Sequence, residues 1–260
     1  MSAAEGPPLL TFDAPGRATI TLDRPQHLNR LHREDLLALQ QHFALLAAEP
    51  ALRVLVLTGR GRLFCAGFNI EELGQQGASS AAAEPRLFER TVDALEALPV
   101  PTIARLNGSL FGGATDLALA CDFRIGISGM ELRMPAARLG LHYYASGLVR
   151  YVSRLGLSAA KRLFLLAETV SAEELLALGY LDAVVDGAQL DAEVERFATG
   201  LLAGAPLALQ GMKQSLNEVA RGNADIARLR EREARCAASE DLREGIAAFA
   251  AKRSPQFRGR

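Results

Sequence analysis

Long hydrophobic runs, paired cysteines and an excess of either charge are all missing from this sequence, and each absence removes a class of function. No apolar stretch approaches the roughly 18 residues that a membrane span requires, so no membrane partner is expected. The N-terminal Met-Ser-Ala-Ala-Glu-Gly-Pro-Pro lacks the basic start and apolar core of an export signal, and the expectation is an unexported, cytoplasmic chain. The three cysteines, Cys65, Cys121 and Cys236, show neither CxxC nor Cys/His ligand spacing, which suits reduced thiols and argues against a metal site. Lysine plus arginine (29) nearly balances aspartate plus glutamate (30), so no global field recruits nucleic acid or an anionic membrane. Catalytic templates are missing too. There is no G-x-S-x-G elbow, no GxxxxGK(S/T) loop and no H-E-x-x-H, and Gly59-Arg-Gly61 does not continue into GxGxxG. The histidines His27, His32, His42 and His142 are scattered.

What is present is ample core material: 260 residues, 49% of them hydrophobic, enough for one substantial core with a small appended region. Leu9 to Phe12 and Arg17 to Leu22, separated by Asp13-Ala-Pro-Gly16, read as a hairpin. Apolar residues at helical spacing from about Glu34 to Ala48 predict a helix that Pro50 ends. Val54-Leu-Val-Leu-Thr58, closed by Gly59, has the continuous apolar character of a strand buried on both faces. The pattern repeats with a strand at Pro101 to Leu106, a helix from about Gly112 to Ala120 and a strand at Asp122 to Ile127. Gly74 to Pro85, rich in small and polar residues, lies where a lid could. From Ser146 onward the pattern is nearly all helical, including Ala159 to Glu168, Ser171 to Leu178, Leu190 to Leu202, Pro206 to Ala220 and Ile226 to Ala237. An α/β core followed by a helical C-terminal part is the expected architecture.

Two glycine-bearing segments carry the chemistry. Phe64-Cys-Ala-Gly-Phe-Asn-Ile70 and Asn107 to Asp116 each follow a strand-like run, and each can aim a free backbone N–H at one point, as an oxyanion hole requires. Gly112 and Gly113 fall where a strand gives way to a helix, so their N–H groups lack intrahelical acceptors and sit at the positive end of the helix dipole. Taken alone, the glycine pair also fits a tight turn or close helix packing. Asp116 shares a helical face with Gly113 and also fits a first-turn acid complementing that dipole. The apolar continuation Leu117-Ala-Leu-Ala-Cys121 implies burial, and a buried carboxylate needs a partner or a function.

These residues resemble the enoyl-CoA hydratase/isomerase (crotonase) superfamily across nearly the whole chain. Arg53-Val-Leu-Val-Leu-Thr-Gly59 with Phe64-Cys-Ala-Gly-Phe68 is similar to its first signature, and Pro101 to Gly108 through Gly112-Gly113 to Asp122 to its second. Leu139-Gly140, Gly179 to Val185, Ala205 to Leu209 with Lys213, and Glu240-Asp241 to Phe257 follow in the family's order. The resemblance implies a spiral of ββα units over residues 1–200 holding an acyl-CoA site, with a helical trimerisation region over residues 201–260. A homotrimer or a dimer of trimers is implied, with no cofactor beyond the coenzyme A of the substrate. It places the Phe68 and Gly113 N–H groups on the thioester oxygen and the CoA moiety beside His27, Leu28, Ala66 and Ile70. Phe249 and Lys252 reach the CoA from the C-terminal helix, in some assemblies that of a neighbouring subunit.

Typical members flank the double bond with two glutamates. Here Asp116 falls on the first position, one methylene shorter, and Ala136 on the second, which leaves Asp116 as the sole family-position acid/base. The next loop reads Leu141-His-Tyr-Tyr-Ala-Ser146, where common hydratases carry proline and glycine. His142, Tyr143 or Tyr144 either packs there or replaces the missing acid. The leading expectation is an enzyme of hydratase/isomerase type working through a thioester enolate. The alternatives are a malonyl-type acyl-CoA decarboxylase using the His142-Tyr143-Tyr144 loop and a catalytically silent CoA-thioester binding protein.

Overall fold

The computed structural model describes residues 5–69 and 86–260. Ile70 and the Gly74 to Pro85 stretch lie outside the described residues, so neither expectation placed on them is addressed below. Strands β1 (Leu9–Ala14) and β2 (Arg17–Leu22) form the expected antiparallel hairpin, turned at Gly16 with φ +76. Helix α1 (Arg33–Ala47) buries Leu36, Leu39, Phe43 and Leu46. Strand β3 (Val54–Gly59) is buried at all six positions because parallel neighbours flank it on both sides. Helix α2 (Leu87–Glu96) leads to β4 (Thr102–Leu106), the two-residue β5 (Leu110–Phe111) and helix α3 (Gly113–Leu119). Strands β6 (Phe123–Ile127) and β7 (Glu131–Arg133) follow.

The helical reading of the C-terminal half is corrected in two places. Helix α4 (Ala145–Lys161) runs into a π turn (Arg162–Leu166), and the chain then forms β8 (Thr169–Ser171) before the short α5 (Ala172–Ala177), capped by Ser171. Strand β9 (Ala183–Val185) then pairs with β6 in parallel, Ile125 opposite Ala183. Three-residue strands are too short to show a period of two, which is why hydrophobic spacing passes over them. Helices α6 (Leu190–Leu202), α7 (Pro206–Ala220) and α8 (Ile226–Ala237) have the expected bounds, and α9 (Glu240–Ala250) ends the helical part.

The main sheet has the order β1-β2-β3-β4-β6-β9, parallel from β2 onward, and β5-β7-β8 form a second, three-stranded sheet. The parallel strands end on one side of the sheet, and the segments after β3, β4 and β6 meet there through the Cys65–Leu110 bridge and the β5–β7 pair. Among the described residues, no helix is long and apolar enough to cross a membrane.

Candidate active site

Two side-chain amides, that of Asn29 buried and that of Asn107 half-buried, tie the segment after β3 to its neighbours. Asn29 Nδ2 donates to the carbonyls of Arg60 (2.8 Å), Leu63 (3.0 Å) and Phe64 (3.1 Å), while Asn107 Oδ1 accepts from the Gly59 N–H at 3.1 Å. Phe64 N–H donates to the Ser109 carbonyl and Phe111 N–H to the Cys65 carbonyl, so segment 64–66 runs beside segment 109–111. This pairing brings Phe68 and Gly113 together. The Gly67 carbonyl and the Asn69 N–H are both bonded to Leu31, so the Phe68 N–H between them is left on the opposite side of the strand. Gly67 has φ +93, and a Cβ there would stand 2.6 Å from the Phe111 carbonyl oxygen, so only glycine permits the approach. The Gly113 N–H opens α3 and has no intrahelical acceptor.

A cavity of about 260 Å³ lies at this junction, lined by Ala66, Phe68, Gly113, Ala136, His142, Tyr143 and Tyr144 among others. These seven residues, all singled out from the sequence, thus share one wall system. Asp116 is not on it. Its side chain is fully buried behind Tyr144, whose hydroxyl donates to Oδ2, and Arg150 Nη1 donates to the same oxygen at 2.6 Å. The other oxygen, Oδ1, has no partner among the described residues. Burial pushes the Asp116 carboxyl above its ordinary range, and the opposing pull of Arg150 and the Tyr144 hydroxyl does not cancel it. Burial, with the nearby carboxylate, likewise holds Tyr144 and Tyr143 as neutral phenols. Tyr143 stacks on Tyr144 with ring centroids 4.3 Å apart. His142 is exposed at the mouth, its Nδ1 2.9 Å from the Tyr143 carbonyl oxygen.

The proposed CoA contacts divide into two groups. Leu28 accepts from the Ala66 N–H at 2.9 Å, and His27, exposed, precedes it and pairs with Glu5, so these residues do border the cavity segment. Phe249, 87% exposed, instead lines a separate cavity of about 530 Å³ between α7, α8 and α9. Lys252 follows it at φ 51, and the single chain does not bring either residue to the Phe68–Gly113 cavity.

Residues 15–260 match the family model described as enoyl-CoA hydratase/isomerase. The chain belongs to the enoyl-CoA hydratase/isomerase family. It is 31% identical to the crotonyl-CoA hydratase of Syntrophomonas wolfei over 92% of this chain and 94% of that protein. It is 32% identical to the 1,2-epoxyphenylacetyl-CoA isomerase of Escherichia coli over 97% and 98%. The crystal structure of an enoyl-CoA hydratase/carnithine racemase from Magnetospirillum magneticum superposes with a TM-score of 0.89 at 29% identity, covering 96% of this chain and 97% of that one. Membership makes the chain an acyl-CoA enzyme with the crotonase fold.

Sequence reasoning missed three residues in and around this cavity. Asn29, whose αL backbone (φ 53) and 1% exposure are the only outward signs of its role, fixes the Phe64–Ala66 segment. Arg150 on α4, 1% exposed, binds Asp116, Asp93 (2.6 Å) and Glu96 (3.0 Å) at once. Glu89, on α2, lines the cavity itself. A helical spacing of Glu89, Asp93 and Glu96 was the available signal for the last two. Cys65, beside the cavity, is inert: burial pushes its thiol up to about 12 and it donates to the Asn29 carbonyl.

Proposed function

We propose that the enzyme moves protons on the carbon skeleton of an acyl-CoA thioester through an enolate. The enolate oxygen is held by the Phe68 and Gly113 N–H groups, and the proton is carried by Asp116 acting through Tyr144. The observation that carries this reading is the Tyr144–Asp116–Arg150 chain, which ends on the wall of the cavity that Phe68 and Gly113 also line. The α-proton of a 3-enoyl thioester passes to the Tyr144 oxygen as the phenolic proton passes to Asp116 Oδ2. Reversal delivers a proton to the γ-carbon, and the double bond has moved. One carrier suffices for this exchange. A donor of the oxyanion type is worth about 100 to 1000-fold in rate, and positioned proton transfer about 100 to 10,000-fold.

Decarboxylation of a malonyl-type CoA has the cavity position of the His142-Tyr143-Tyr144 loop in its favour. Against it, the described lining holds no lysine or arginine for a second carboxylate and does hold Glu89. Incubation with trans-3-hexenoyl-, crotonyl- and methylmalonyl-CoA followed by mass spectrometry tests the reading. Isomerisation of the first is expected, carbon dioxide from the third favours the decarboxylase, and binding with no turnover favours the silent binder.

The assembly belongs to the same proposal. Residues 201–260, on a 1–200 core, pack as a homotrimer or dimer of trimers, in which Phe249 and Lys252 meet a neighbour's CoA beside His27, Leu28 and Ala66. The exposed Met212, Leu216, Val219, Ile246 and Phe249 on α7 and α9 support a covered apolar face.

A further inference from the structure

We propose that Glu89 is a second proton-transfer residue of this site, the base that takes a proton from water as it adds to a 2-enoyl thioester. The inference rests on the enolate reading above and supplies what Ala136 cannot. Glu89, Asp93 and Glu96 follow one another at four- and three-residue spacing on α2, so they share a helix face. Asp93 and Glu96 are both spent on Arg150, the same guanidinium that holds Asp116. The face that delivers them to Arg150 delivers Glu89 to the cavity wall. There the Ser146 hydroxyl donates to Glu89 Oε1 at 3.1 Å, and Oε2 has no hydrogen bond or ion pair among the described residues. The adjacent Phe88 ring meets Phe68 at 6.1 Å and Tyr144 at 5.9 Å, so this turn of α2 packs beside both the oxyanion donor and the phenol. One arginine thereby binds three carboxylates from two helices.

In the step, the water oxygen bonds to the β-carbon and its proton goes to Glu89. The electron pair moves onto the thioester oxygen, held by Phe68 and Gly113. As the enolate collapses, the α-carbon takes the Tyr144 proton, which the protonated Asp116 replaces. Glu89 then gives its proton to solvent and Asp116 takes one back.

The test measures crotonyl-CoA hydration for wild type, Glu89→Gln, Glu89→Asp and Ser146→Ala. Glu89→Gln should lower kcat by about 100-fold or more. Butyryl-CoA affinity should stay within about threefold of wild type, Glu89→Asp should recover about a tenth of kcat, and Ser146→Ala should cost about tenfold in kcat at unchanged KM. A Glu89→Gln enzyme hydrating at the wild-type rate overturns the proposal, as does a wild type that isomerises trans-3-hexenoyl-CoA but adds no water to crotonyl-CoA. Failure of the underlying reading looks different, because Asp116→Asn and Tyr144→Phe would then keep full turnover.

Discussion

The phenol of Tyr144 stands between Asp116 and the substrate cavity and donates its hydrogen bond to Asp116 Oδ2. The acid at the family's first position is therefore reached through another side chain. Tyr144 is the N-cap residue of α4, and Arg150, six positions later on that helix, grips the same carboxylate from behind. One helix thus presents both the phenol that caps the carboxylate and the counter-charge behind it.

Residues acting as one relay lose activity once, not twice. Tyr144→Phe and Asp116→Asn should each lower kcat on trans-3-hexenoyl-CoA by about 100-fold or more, and the double variant should fall no more than about threefold further. Losses that multiply across the two positions would show that each side chain meets substrate independently.

Because burial raises the Asp116 carboxyl above 3.8, the folded protein holds a proton there that the unfolded chain has released. Between the unfolded and folded values the native state binds more protons, so stability from this group falls as pH rises. Asp116→Asn stays neutral throughout. The stability of wild type minus that of Asp116→Asn, from urea titrations, should be flat below 3.8 and decline above it. A difference that grows with pH would mean that Arg150 outweighs burial and holds the carboxyl below its ordinary range.

Much of this was legible before any coordinates. The β3 run and the Gly112-Gly113 junction announce themselves because continuous burial and an orphaned helix N-terminus leave local signatures. Phe68, Gly113, His142, Tyr143 and Tyr144 do meet at one cavity. What spacing could not show was that Tyr144 covers Asp116 from that cavity, because the two meet only through the packing of α3 against α4. Glu89 escaped notice for a related reason. It sits in a helix whose other acids serve a buried arginine 57 or so positions away, and only the fold reveals which member of the row is left over.

Arg150 is 1% exposed and compensates three carboxylates, so its loss strands buried charge. Arg150→Ala should cost about 3 to 5 kcal/mol of unfolding free energy. Equilibrium urea denaturation at neutral pH checks this. A loss below about 1 kcal/mol would place these ion pairs among weak surface pairs.

Gly113 is glycine for the sake of Phe88. An alanine there keeps the N–H donor, but its methyl carbon would stand 2.7 Å from Phe88 Cζ, and the ring must move. Because Phe88 also touches Phe68 and Tyr144, the displacement reaches both the proposed oxyanion donors and the proposed relay. Gly113→Ala should lower kcat/KM on trans-3-hexenoyl-CoA by about 10 to 100-fold, the scale of a misplaced reacting group. Trimming the ring removes the collision, so Gly113→Ala combined with Phe88→Ala should run faster than Gly113→Ala alone. If the double variant is no faster, the alanine acts through the backbone of α3, and the ring contact is incidental to catalysis.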